Sequence, residues 1–378
     1  MSRFALTKDQ QDLKNLAAEF GRDVLRAADK LADETGETPL DVYRQMVEIG
    51  FADLSLPKEF GGLGMDLTTE AIINEELCRW GAGITNAIGA TTLGIKPILI
   101  AGNPEQKQRA VDMVRAGHMA AFGLTEPDAG SDAAAQKTFA KKVEGGYVLN
   151  GRKCFITNAP YADLFVIFAM TKRGVGHRGI SAFIVEGDRP GLSRGPHEKK
   201  MGLRGAAAGD VILEDVFVPD ENLLGEEGKG FKLAMQTLDA SRVIVGISAV
   251  GIAQSAIDHS VEYAKNRICF GKPIANLQAI QFMLADMEIQ TQAARALCYA
   301  AAEAYDNGKP FTELAAAAKC MGGDTAMKVT TDAVQILSGY GYMRDYPVEK
   351  LMRDAKLFQI FEGTNQVQRV VVSGNMLK

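Results

Sequence analysis

The chain has 378 residues, 47% of them hydrophobic, and a net charge of -5. That is enough apolar material for one large fold or two to three domains. The acidic balance gives no reason to expect nucleic acid or an anionic membrane as partner, and no segment reaches the roughly 18 uninterrupted apolar residues of a membrane span.

The run from Met1 meets Lys8 and Asp9 too soon to hold a signal core, which gives the expectation of a cytoplasmic protein. Residues 1–117 read as helical. Leu13, Leu16, Ala17, Phe20, Val24 and Leu25 recur at helical spacing between Asp9 and Ala28. Pro39 opens a second helix that ends near Gly50, and Leu56 to Gly64 is a loop. Further helices run from Glu70 to Arg79 and from Ile84 to about Ala101.

Residues 118–229 change character, with short runs rich in β-branched and aromatic residues at Tyr147–Leu149, Lys153–Ile156, Leu164–Met170, Ile180–Glu186 and Val211–Val218. Asn150-Gly151, between two apolar runs, is a strong hairpin signal. Strands so spaced, with no helix between them, predict an antiparallel sandwich or barrel. From residue 230 to 378 the pattern returns to helix, over Ile280–Tyr305, Glu313–Leu337 and Pro347–Phe361. Cys78, Cys154, Cys269, Cys298 and Cys320 show no C-x-x-C spacing and read as free thiols, and four scattered histidines offer no metal constellation.

Four stretches carry candidate chemistry. Glu362 is one carboxylate in the apolar run Gln359-Ile360-Phe361-Glu362-Gly363-Thr364. In a buried cleft such a group has a raised pKa and acts as a base near neutral pH. The loop Gly123 to Asp132 offers hydroxyls and unhindered N–H groups that suit a flat heterocycle or a phosphate, though an ordinary capped loop has the same composition. Phe155-Ile156-Thr157-Asn158 ends a strand with an aromatic and a hydroxyl that can press on a ring, or simply terminates it. Arg267 to Lys272, with Gln278 behind, suits a pyrophosphate and an adenine, or is a solvated loop; Gly339-Tyr340-Gly341 follows no strand and is a weak dinucleotide signal.

In their order and spacing these stretches make the chain similar to the acyl-CoA dehydrogenases over nearly its full length. The further landmarks are Leu149-Asn150-Gly151-Arg152-Lys153, Glu214 to Pro219, Gln335 to Tyr342 and Met352-Arg353-Asp354-Ala355-Lys356. The short- and medium-chain branch looks nearest. The resemblance implies an α-helical N-terminal domain, a middle antiparallel β-sandwich or barrel domain and a C-terminal four-helix bundle. It implies FAD as cofactor, a homotetramer built as a dimer of dimers, an acyl-CoA substrate and electron-transferring flavoprotein as acceptor.

By position, Thr125, Ser131, Phe155, Thr157, Thr364 and Gln366 would serve the flavin, while Arg267, Phe270, Gln278, Gln335 and Gly339 would serve the FAD of a neighbouring subunit. Ser131, Asp239, Arg242 and Gly363 would meet the substrate. Glu362 would take the α-proton while the β-hydrogen leaves as hydride to flavin N5. Some relatives carry the base just before the arginine matched by Arg242; Ser241 stands there and cannot serve.

Phe361 replaces a usual tyrosine, Ser338 a usual glycine, and Gly205 to Gly209 a more polar stretch. Ile84 occupies the place where glutaryl-CoA members hold an arginine, so a dicarboxylic substrate is not expected. The acyl wall is expected from Ile84 to Leu93, with Gly89, Ala90, Thr91 and Thr92, which fits a short, branched or cyclic acyl group and equally a medium straight chain. An enoyl-CoA reductase on the same scaffold is the nearest rival. An oxidase is disfavoured because such members usually carry a further C-terminal domain, and a DNA-associated flavoprotein because of the acidic balance.

Overall fold

The computed structural model describes residues 6–377. Helix α1 (Lys8–Phe20) is capped by Thr7, whose side chain accepts from the Gln10 N–H while Gln10 reaches back to the Thr7 N–H. It runs through a π-helical turn (Gly21–Leu25) straight into α2 (Arg26–Thr35), so the first helical segment reaches beyond the expected Ala28 and stops at left-handed Gly36. Helix α3 (Leu40–Ile49) follows Pro39 and closes on Gly50.

The two helices expected on either side of residue 81 are the two halves of α4 (Leu67–Ala101), which meet at a kink at Gly81, whose φ of -156° and ψ of 77° are not helical. Residues of both halves, among them Glu70 and Asn74 before the break and Gly89 and Thr92 after it, line one cavity. Helix α5 (Pro104–Arg115) completes the N-terminal layer.

The middle region has strands β1 (Ala120–Gly123), β2 (Phe139–Val143), β3 (Gly146–Thr157), β4 (Leu164–Met170), β5 (Ile180–Glu186), β6 (Leu192–Arg194), β7 (Ala208–Pro219) and β8 (Leu223–Leu224). They make one sheet in the order β6-β7-β3-β2-β4-β5-β8, antiparallel except that β1 and β2 meet β4 in parallel. Tyr147, Leu149, Phe165, Ile167, Phe183, Val185, Val211 and Leu213 share one buried cluster, so the sheet wraps around its own core.

Asn150-Gly151 is not a hairpin turn. β3 runs through it, paired with β7 on both sides, with a register shift between Leu149 and Gly151. The turn lies earlier, at Glu144-Gly145, with Gly145 at φ 74°. Asn150 spends its side chain on Asp215 across the bulge, and a Cβ on Gly151 would fall 2.4 Å from Thr138 Oγ1. The pair therefore serves a bulge, the other use of such residues.

The C-terminal layer is built on α6 (Gly230–Asn266), α7 (Gln278–Asp306) and α8 (Thr312–Leu337), followed by α9 (Val348–Leu357) and α10 (Asn365–Met376). A short β-ribbon, β9 (Ile268–Cys269) with β10 (Lys272–Pro273), links α6 to α7. Close contacts set the helix spacing: a Cβ on Gly322 of α8 would lie 2.4 Å from the Gly246 carbonyl, and one on Gly251 would lie 2.3 Å from that of Glu75. By length and composition α4 and α6 could cross a membrane, yet 50% and 78% of their apolar stretches are buried inside the protein.

Ion pairs lock the layers together. Lys350 Nζ bonds Asp29 at 2.5 Å and Asp354 at 2.6 Å, and Asp354, 0% exposed, also accepts from the Leu203 N–H at 2.6 Å. Helices α2 and α9 and the segment before β7 thus meet at one half-buried cation. The two carboxylates hold the Lys350 ammonium well above its ordinary pKa against the opposing effect of burial. Removing one partner of such a cluster strands the others' charge. Lys350→Met is expected to cost about 3–5 kcal/mol, read as a lowered denaturation midpoint; an unchanged midpoint would contradict the role given to this lysine.

Candidate active site

Helix α9 ends at Leu357, and the chain must reverse before α10. It does so through two consecutive left-handed residues, Glu362 at φ 56° and Gly363 at φ 82°. A non-glycine residue in that region is uncommon and persists only when its surroundings impose it. Here they do: Gln368 Nε2 donates to the Glu362 carbonyl at 3.0 Å and the Gly363 carbonyl at 2.9 Å. From below, Lys319 Nζ donates to the Gly363 carbonyl at 2.8 Å and to Asn365 Oδ1 at 2.9 Å. Burial pushes the Lys319 ammonium down to about 8, opposed by the charge of Glu362.

The turn delivers the Glu362 side chain into a cavity of about 360 Å³ that all three regions line. Ser241, Arg242 and Val245 of α6 lie on it, as do Thr85, Gly89 and Thr92 of α4, and Leu124, Thr125, Phe155 and Thr157 of the β region. Burial raises the Glu362 carboxyl above the usual carboxylate range, and the Ser241 hydroxyl, then the charges of Arg242 and Lys319, pull it back. Ser241 Oγ lies 3.0 Å from Glu362 Oε2 and 3.1 Å from the Leu238 carbonyl, and its single proton serves one of them at a time. The backbone N–H of Glu362 donates to none of the described residues.

The expected flavin and substrate residues divide between places. Thr125, Ser131, Phe155, Thr157, Arg242 and Gly363 line the cavity with Glu362. Thr364 does not: its hydroxyl caps α10 by accepting from the Val367 N–H, and Gln366 points to solvent. Asp239 stands behind the wall, bonding Arg242 Nη1 at 2.5 Å and Thr312 at 3.0 Å. Arg267, Phe270, Gln335 and Gly339 line a second concavity of about 560 Å³, and Gln278 is exposed beside it at the start of α7.

Of the stretch expected as the acyl wall, Thr85, Asn86, Ile88, Gly89, Ala90, Thr92 and Leu93 line the cavity. Ile84 and Thr91 turn away. Ile84 is packed against Gly205, and the Thr91 hydroxyl bonds Tyr43 at 2.9 Å and Asn158 at 3.1 Å. One residue of helical rotation, 100°, accounts for both. Phe361 lines the cavity and stacks edge-on against Phe358 at 5.1 Å.

Several contributors went unnoticed in the sequence: Ser241 as a donor to Glu362, Lys319 and Gln368 as clamps, and Lys153. The last is fully buried and bonds the Leu124 carbonyl, Glu126 and Gln136, pinning the loop that carries Thr125. A lone lysine within the small-residue run Ala315-Ala316-Ala317-Ala318-Lys319 was the available signal for the clamp.

Models of the acyl-CoA dehydrogenase N-terminal, middle and C-terminal domains match residues 7–118, 121–216 and 228–377. The chain belongs to the acyl-CoA dehydrogenase family. It is 45% identical to the short-chain-specific acyl-CoA dehydrogenase of Megasphaera elsdenii, over 99% of this chain and 100% of the relative. It is also 45% identical to a subunit of the caffeyl-CoA reductase–Etf complex of Acetobacterium woodii, over 92% of each. The structure of butyryl-CoA dehydrogenase from Megasphaera elsdenii superposes with a TM-score of 0.97 at 44% identity, covering 99% of this chain and 100% of that one.

An acyl-CoA dehydrogenase is an FAD-dependent oxidoreductase, and the residues present fit that cofactor. Phe155 is 69% exposed at φ 58° and Phe270 92% exposed at φ 53°, each offering an uncovered aromatic face. Arg242 Nε is buried with no hydrogen-bond partner. Of the seven non-glycine residues with positive φ among those described, Phe155, Asn158, Phe270, Ser338 and Glu362 sit on or beside the two concavities. Strain concentrated there, with Leu203 and Asp215 the two such residues away from the concavities, marks a site. Ser338 is at φ 57°, a backbone region that glycine adopts more readily than serine.

Ser241→Ala is expected to move the titration of Glu362 further up, since it removes a donor to the charged form. An isotope-edited infrared titration of the carboxyl band reads this; an unchanged or lowered value would show that the hydroxyl does not act on the carboxylate.

Proposed function

We propose that the protein is an FAD-dependent acyl-CoA dehydrogenase that takes a short or medium, branched or cyclic acyl-CoA to its 2-enoyl thioester, with Glu362 as the α-proton base. The observation that carries this reading is the Glu362 carboxyl itself. It is raised by burial, presented by a doubly left-handed turn, and lies in the same cavity as Thr125, Phe155 and Thr157. A group with its pKa moved toward neutrality is a better base at working pH than an ordinary carboxylate.

The residues divide the work. The thioester carbonyl acidifies its α C–H, and a donor to that oxygen stabilises the charge that develops as the proton leaves. The Glu362 N–H is free to be such a donor. Ionised Glu362 accepts the α-proton, and Ser241, Arg242 and Lys319 keep enough of it ionised. Thr125, Phe155 and Thr157 would hold the flavin ring, Ser131 and Arg242 the CoA-bearing substrate. Arg267, Phe270, Gln278, Gln335 and Gly339 would hold the FAD of a neighbouring subunit in a tetramer built from dimers. When bound, FAD supplies the two-electron acceptor that the reaction requires.

Electron-transferring flavoprotein is the partner this reading assigns, supported by the Etf complex of the Acetobacterium woodii relative. The same relative supports a second reading, an enoyl-CoA reductase running the chemistry backwards. We place domain boundaries at 1–117, 118–229 and 230–378, supported by the change to strand after α5 and to helix after β8. Burial of α4 and α6 supports internal helices rather than spans, in a cytoplasmic enzyme.

A panel of saturated acyl-CoA thioesters is expected to bleach the bound flavin in stopped flow; no bleaching with any of them would sink the dehydrogenase direction. Glu362→Gln should keep FAD and CoA ligands yet lose turnover by roughly 10²- to 10⁴-fold or more. Near-normal turnover would refute the base. Arg267→Ala should shed FAD on dialysis, and full flavin occupancy afterwards would count against its assignment.

A further inference from the structure

The cavity that receives Glu362 has a second carboxylate on its wall. Glu70 stands one turn into α4, is 7% exposed and lines the cavity, and its Oε2 is buried without a hydrogen-bond partner. Lys96, on the other half of α4, lines the same cavity and acts on Glu70 through space without a direct ion pair. Ser55 and Asn74 border the patch. Burial raises the Glu70 carboxyl, with Lys96 and then Ser55 opposing it.

A buried acceptor left unpaired costs free energy comparable to a lost hydrogen bond, and native proteins keep few of them without a reason. An all-apolar acyl group would bury this patch against methyl and methylene groups and leave the acceptor orphaned. An anionic group would meet Glu70, and a cationic group would meet Lys96. A neutral group that both donates and accepts satisfies the two at once: its proton goes to Glu70 and its lone pair receives Lys96. The smallest such group is a hydroxyl.

We propose that Glu70 and Lys96 form a recognition subsite for a hydroxyl on the acyl group, so that the preferred substrate is a hydroxylated acyl thioester rather than a plain hydrocarbon one. This rests on the reading of the cavity as an acyl-CoA site. Glu70 and Lys96 set specificity here; neither touches the proton that Glu362 removes. A site built to bond a substrate hydroxyl rejects the analogue lacking it more strongly than an apolar pocket rejects an extra group.

The test uses the FAD-loaded protein and unreactive S-alkyl-CoA thioethers, each paired with counterparts carrying one hydroxyl moved along the chain. Affinities are measured by titration calorimetry. At the matching position the hydroxylated thioether is expected to bind roughly ten- to a hundred-fold tighter than its parent. Glu70→Leu should abolish or reverse that preference, Glu70→Gln should keep part of it, and Lys96→Met should weaken it.

Equal or weaker binding of every hydroxylated member, with affinities unmoved in Glu70→Leu, would overturn the proposal and leave the pair as merely solvated. If Glu70→Leu fails to fold, Glu70→Gln and Lys96→Met decide the question alone. Because the thioethers do not react, a protein that bleached with no acyl thioester would lose the dehydrogenase direction while these affinities still judged the subsite.

Discussion

Everything in the site depends on holding one ionisable carboxylate where burial disfavours its charge. Each pKa unit of upward shift is about 1.4 kcal/mol of preference for the neutral form. That preference must be large enough to make Glu362 basic and small enough to leave it partly ionised. The protein balances it with one neutral donor, Ser241, and two cations, Arg242 and Lys319, none of which forms a direct ion pair with it. A direct pair would return the carboxyl to its ordinary acidity and weaken it as a base.

That balance requires a rigid frame, and the fold supplies it from three sides. The left-handed turn at Glu362 and Gly363 is clamped by α8 through Lys319 and by α10 through Gln368. The break at Gly81 folds α4 into two halves that border the cavity. The β region is tied to the second half of α4 by Asn158, which bonds the Ala87 carbonyl at 2.8 Å and the Thr91 hydroxyl at 3.1 Å. Asn158 is itself at φ 66°, next to Thr157. Strain beside the cavity is thus repaid by contacts that fix one wall against another.

Helices with clear periodicity and stops were legible from residues alone: Pro39 and Gly50 bracket α3, and the runs Ile280–Tyr305 and Glu313–Leu337 fall within α7 and α8. What failed shares one cause, that local chemistry leaves more than one use open. Asn150-Gly151 suits a turn or a bulge, and pairing of β3 with β7 along its length selected the bulge. Ile84 and Thr85 differ by one step of helical rotation, and the kink at Gly81 set which faces the cavity. Glu362 stood out because a carboxylate in an apolar run is rare. Lys319 and Lys153 did not, because their value lies in carbonyls and carboxylates supplied by distant segments. Ser241 cannot be a base, and its contact with Glu362 gives it a different task.

The most direct measurement of the central claim isolates proton removal from electron transfer. A 3-thia-acyl-CoA has no β-hydrogen to lose, so exchange of its α-hydrogens with deuterated solvent reports the base alone. With the FAD-loaded protein this exchange should be catalysed, should gain rate as pH rises through the elevated Glu362 pKa, and should fall by roughly 10²- to 10⁴-fold in Glu362→Gln. Exchange that persists undiminished in Glu362→Gln would contradict the assignment of Glu362 as the residue that takes the proton.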